Sequence, residues 1–93
     1  LIIGLIRIEA IIYDAQSLKE KRSVIKSVAD RIRRQYNVSF SEIDHQNVWQ
    51  RAEWVALSVS GDRVIVEREL QRVIDLLDRN EKLEVTKVDW EWL

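Results

Sequence analysis

The sequence predicts one α+β domain with the element order β-α-β-β-α-β, two helices covering one face of a four-stranded antiparallel sheet. Three observations carry this reading. Apolar residues alternate with a period of two at both ends of the chain and in its middle. Two intervening stretches repeat instead at helical spacing, and each opens on a residue suited to capping a helix. With 93 residues, 46% hydrophobic and 33% charged, the chain holds one core and no second, so residues 1–93 form one domain.

Leu1 to Tyr13 reads as the first strand, because Ile6, Ile8, Ala10 and Ile12 alternate with Arg7, Glu9, Ile11 and Tyr13. Asp14-Ala15-Gln16 leads into Ser17-Leu18-Lys19-Glu20, a capping box in which Ser17 accepts from the backbone N–H three residues on and Glu20 reaches back. The helix it opens runs to about Tyr36. Leu18, Ile25, Val28, Ala29, Ile32 and Tyr36 share one arc of it and face a core. Asn37 stops the helix, and a second strand runs from Val38 to about His45, with a bulge expected near Ser41-Glu42 where the alternation changes parity. After Gln46-Asn47 a third strand extends from Trp49 to Ser60. Val55, Leu57 and Val59 are expected to face its helices, and Trp54 to face away from them. Gly61-Asp62 ends that strand, with Asp62 as N-cap of a second helix that buries Val66, Leu70, Val73, Ile74 and Leu77. Asn80 and Glu81 close the helix. Lys82 to Leu93 forms the last strand, which changes parity after Val85. This order is the split βαβ, ferredoxin-like sandwich.

Composition removes many functions. Without cysteine there is no disulfide scaffold, thiol catalyst or Cys-ligated zinc. Two glycines, Gly4 and Gly61, build neither a GxGxxG turn nor a P-loop. No apolar run approaches the roughly 18 residues of a membrane span, so no membrane partner is expected. The chain starts at Leu1 with no recognisable secretory signal, and a cytoplasmic location is the expectation. No cofactor and no metal site are expected.

The first helix holds the charge. Between Ser17 and Tyr36 seven Lys and Arg face only Glu20 and Asp30, a balance of +5, while the other eight cations and fourteen acids give −6. Lys19, Arg22, Lys26 and Arg33 fall within about 60° of one another beside the apolar arc. Arg22 and Lys26 are like charges at i,i+4, an arrangement that disfavours an isolated helix. Such a stripe suits phosphate contacts, and Lys19, Arg22, Lys26, Arg33 and Arg34 are the candidate nucleic-acid-binding residues, with Lys21 and Arg51 at its margin. The plainer alternative is a solvated face in which Asp30 pairs with Lys26 or Arg34.

His45, in the run Glu42-Ile43-Asp44-His45-Gln46, is the only conventional base near neutral pH. Asp44, His45 and Gln46 make a possible polar site, but no nucleophile accompanies them, and neighbouring strand residues point to opposite faces. An enzyme is not expected. With four tryptophans in the chain, Ile11, Tyr13 and Trp54 are expected on the open sheet face, as an interface for a homodimer. The basic-glycine-aromatic core of an RRM and the GxxG of a KH domain are both missing.

The run Ser17-Leu18-Lys19-Glu20-Lys21-Arg22-Ser23-Val24, then Asn37-Val38-Ser39, Glu42-Ile43-Asp44-His45-Gln46 and Trp49-Gln50-Arg51-Ala52, resembles the YlxP-like family of small bacterial proteins. The resemblance covers essentially the whole chain. It implies a ferredoxin-like fold, a cytoplasmic bacterial protein and genes often set beside translation and ribosome-maturation factors, with no established activity. The function expected is a non-enzymatic RNA-binding or ribosome-associated accessory protein that uses the basic first helix. The alternative is a homo-oligomeric module for a protein or small ligand.

Overall fold

The computed structural model describes every residue except Asp14, His45, Gln46, Asn47 and Trp49, and of Asp44 only the backbone. Its elements follow the expected order: β1 Ile2–Ile12, α1 Leu18–Gln35, β2 Ser39–Asp44, β3 Arg51–Ser60, α2 Arg63–Asp78 and β4 Leu83–Trp92. The four strands pair antiparallel in the order β2-β3-β1-β4, the ferredoxin-like arrangement. Both predicted caps form. Ser17 Oγ accepts from the Glu20 N–H at 3.2 Å, and Asp62 Oδ1 accepts from the Val64 N–H at 2.9 Å. The Glu20 carboxylate reaches back to the Gln16 N–H at 2.6 Å, one residue earlier than the capping box predicts.

The core lies between the helices and one sheet face. Ile6, Ile8, Ala10 and Ile12 of β1 are buried, as are Val28, Ala29 and Ile32 of α1 and all five predicted positions of α2, joined by Leu76. Gly4 is required where α2 and β4 meet: a Cβ there would lie 2.8 Å from both the Trp92 ring and Val66 Cγ1. The Trp92 ring thus lies over bare backbone, with the Arg63 guanidinium 4.2 Å from its centroid.

β3 is turned over relative to the expectation. Its inward residues are Ala52, Trp54, Ala56 and Ser58, while Val55, Leu57 and Val59 stand on the open face. The cause is pairing with β1. Ile6 lies opposite Ala56 and Ile8 opposite Trp54, and residues directly opposite share a face, so the inward set of β1 dictates that of β3. Both sets of β3 are apolar, so alternation gave the period without giving the side. Trp54 is fully buried and stacks on Phe40 with centroids 5.9 Å apart, filling the space between α1 and β2. Ser58 is tolerated inside because its hydroxyl donates to the Asn37 carbonyl at 2.9 Å.

The two predicted irregularities both occur. The β2–β3 register shifts between Glu42 and Asp44, one residue later than expected, and leaves Ile43 exposed. The β1–β4 register shifts between Glu9 and Ala10, which makes Thr86 the extra residue just after Val85. Beyond it Val88, Trp90 and Trp92 return to the helix side of the sheet, opposite Ile8, Ile6 and Gly4. Among the described residues no helix is long and apolar enough to cross a membrane.

Candidate nucleic-acid interface

The cations of α1 are arranged by its amphipathic packing. Once Val28, Ala29 and Ile32 turn inward, Lys19, Arg22, Lys26 and Arg33 project from the flank facing β2, and all four are exposed. Arg22, Lys26 and Arg33 border one cleft of about 460 Å³ between α1 and β2, whose walls also include Lys21, Glu42, Phe40 and Trp54. Four cations and one carboxylate therefore line it. Arg34 lies outside the cleft, and Lys19 is one turn before Arg22 on the same flank.

Lys21 is the residue that helix periodicity left at the margin. It sits on the apolar arc, is only 1% exposed, and its Nζ lies 3.3 Å from Glu42 Oε2. Burying an ammonium is costly unless a carboxylate accompanies it, and Glu42, beside the bulge of β2, supplies one. The pair ties α1 to β2 beneath the cationic rim. Trp54 lies in the same wall, and its buried indole N–H has no acceptor among the described residues. An unpaired buried donor costs about 1–3 kcal/mol, so this N–H is unspent hydrogen-bonding capacity.

The rim cations differ in what holds them. Lys26 pairs with Asp30 at 2.9 Å, and that hydrogen bond holds the Asp30 carboxyl below the ordinary carboxylate range. Arg34 Nε donates to the Asp30 carbonyl at 3.2 Å. Arg33 donates to the Phe40 carbonyl at 2.7 Å and so also fastens α1 to β2. Lys19, Arg22 and Arg31 make no ion pair or hydrogen bond among the described residues. The solvated-face alternative correctly anticipates Lys26–Asp30 but leaves these three charges uncompensated.

Other expected site residues lie elsewhere. Arg51 is on the open sheet face, 4.0 Å from Glu9, and takes no part in the helix stripe. His45 and Gln46 lie outside the described residues. Asp44 ends β2, and its side chain is likewise outside the description. Among the described residues no three metal-ligating side chains converge. Trp54 is not an interface residue, because the β1 pairing turns it into the core. Ile11 and Tyr13 are exposed, and the Tyr13 hydroxyl donates to Glu84 Oε1 at 2.7 Å, which raises the phenol above its usual range. A second groove, of about 450 Å³, follows the other flank of α1 and brings Ser23, Ser27 and Arg31 to Arg79 and Lys82. It combines two distant stretches of sequence, so no single run announced it.

A family model described as "Protein of unknown function (DUF503)" matches residues 3–90. The uncharacterized protein YlxP of Bacillus subtilis (strain 168) is 47% identical over 90 residues, covering 97% of this chain and 98% of that one. Among solved structures, the de novo designed protein Foldit4 superposes with a TM-score of 0.54 at 17% identity, over 97% of this chain and 94% of the design. SnoaB, a cofactor-independent oxygenase from Streptomyces nogalater, superposes at 0.55 with 10% identity, over 100% of this chain and 92% of the oxygenase. At such identities these two structures share the fold alone.

Proposed function

This chain belongs to DUF503, a family of proteins of unknown function, and we propose that it is a non-enzymatic, ribosome-associated or otherwise RNA-binding accessory protein of the cytoplasm that grips phosphates through α1. The observation that carries the reading is the α1–β2 cleft, with its exposed rim of Arg22, Lys26 and Arg33 above the buried Lys21–Glu42 pair. A partner drawn by backbone phosphates needs clustered, unneutralised cations and no base-reading apparatus. Lys19 and Arg22 supply the former, with no ion pair among the described residues. Across the chain the +5 of the first helix against −6 elsewhere orients an anionic partner toward this flank. The resemblance to proteins encoded beside translation factors favours RNA over other anions.

The test is fluorescence anisotropy on ribosomal RNA fragments at two salt concentrations, wild type beside a Lys19→Glu, Arg22→Glu, Lys26→Glu variant. Arg33 is kept, because its bond to the Phe40 carbonyl belongs to the fold. Wild-type affinity should fall with salt at a logarithmic slope of roughly 0.7 per neutralised phosphate on single strands, and the variant should lose binding. Equal affinity in both proteins, or no salt dependence, would give the case to a solvated helix face.

A further inference from the structure

We propose that the open face of the sheet seats a second copy of this chain, packed sheet against sheet about a two-fold axis. On the central strands, Ile3 and Leu5 of β1 lie opposite Val59 and Leu57 of β3, with Val55 next in line. None of these five belongs to the buried core or packs against it, and no helix covers them. Half of this face is therefore apolar and uncovered by either helix, with Val59 exposed and the other four half-buried among their neighbours. The other half carries Arg7, Glu9, Arg51 and Glu53, with Arg7 and Glu53 4.0 Å apart and Arg51 and Glu9 also at 4.0 Å. Those separations are the loosest an ion pair tolerates, and Arg7 and Arg51 remain about half exposed.

Size and charge both select a second copy as the occupant. Strands of 11, 6, 10 and 10 residues, at about 3.3 Å per residue and about 4.8 Å apart, present roughly 600 Å². Two such faces bury on the order of 1,200 Å², the lower bound of a stable specific interface. A two-fold axis along the strands, between β1 and β3, lays β1 of one copy over β3 of the other. Ile3 and Leu5 then meet Val59 and Leu57, while Arg7 and Arg51 lie beside Glu53 and Glu9 of the facing sheet. The apolar pairs match directly, while Glu9 and Glu53 of the two copies face each other and are held between the layers of Arg7 and Arg51. With Glu84, Lys87, Asp89 and Glu91 of β4 on the same side, the face holds more acids than bases, which repels nucleic acid and anionic membrane and makes the dimer tighten as salt screens the like charge of the two copies. The interface uses neither Trp54 nor α1, so it stands or falls separately from RNA binding.

Sedimentation velocity of the full chain tests it. Wild type should sediment at twice the 11.1 kDa chain mass, and Leu57→Glu at the single-chain mass with an unchanged far-UV spectrum. Two charge variants guard against a folding defect. Arg7→Glu, Arg51→Glu and Glu9→Arg, Glu53→Arg should each be monomeric alone and form a mixed dimer when combined. A wild type that stays monomeric at high concentration overturns the proposal, as does a charge-variant pair that fails to associate. A dimer that ignores Leu57→Glu and is split by Trp90→Glu would assign the contact to the β4 edge and its tryptophan groove instead.

Discussion

The two faces of β3 differ in a way that hydrophobicity does not report. The covered face holds Ala52, Ala56 and Ser58 around one large ring, Trp54, whereas the open face holds the bulkier aliphatics Val55, Leu57 and Val59. Ala52, Ala56 and Ser58 leave room beside the bulky Ile6, Ile8 and Ile12 of β1, and the gap between α1 and β2 is filled by Trp54 stacked on Phe40. A strand can therefore be most aliphatic on its uncovered side. What orients it is the neighbour it pairs with.

The largest expected effect breaks the covered face. Trp54→Ala should cost about 3–5 kcal/mol in chemical denaturation, since it empties a fully buried indole site. Leu57→Ala, three positions on and turned outward, should cost less than about 1 kcal/mol in the monomer. Similar losses at both positions would mean that the faces are misassigned. Leu70→Ala probes the helix that covers the same face and should lose about 2–5 kcal/mol.

Within α1 the same contrast separates two lysines. Lys21→Ala should cost about 3 kcal/mol, because it breaks an ion pair whose ammonium is buried, while Lys26→Ala removes an exposed i,i+4 pair worth about 0.3–0.5 kcal/mol. Gly4→Ala should cost about 1–3 kcal/mol, since its new methyl meets the Trp92 ring and Val66. A loss near zero would show that Trp92 swings aside freely.

The smallest effect is one of pH. The Lys26 ammonium holds Asp30 below its ordinary value, so Asp30 contributes stability that is present above its unfolded-state pKa. That contribution fades as pH falls through the lowered folded value. Carboxyl NMR titration should place Asp30 below a free aspartate, and Lys26→Ala should return it upward. An unchanged titration in the variant would remove the pair from the account.

Most of the fold was legible because α1 and α2 each carry one apolar and one polar side, and β1 carries its charges, Arg7 and Glu9, on one side only. Period and face then coincide. In β3 they do not, so its register with β1 had to settle which side was inside. The bulge in β2 was visible from its change of parity but landed at Ile43, one residue along, since parity marks a region and not a residue. The cationic flank of α1 was readable from charge balance and the helical wheel. The Lys21–Glu42 pair was hidden because its partners come from different elements, although a lysine on an apolar arc was its trace. Arg33's bond to the Phe40 carbonyl was likewise invisible, and it changes which substitutions are safe tests.

The central claim is that the two sides of this molecule serve different partners, an anion at α1 and a second copy at the bare sheet. Backbone amide shifts recorded while a ribosomal RNA fragment is titrated into isotope-labelled protein test it most directly. The account predicts shifts concentrated at Lys19 to Lys26 of α1 and at Phe40 and Glu42 of β2, fading as salt is added, with Leu5 and Leu57 unmoved. Shifts centred on the open sheet face, or none anywhere on α1, would contradict it.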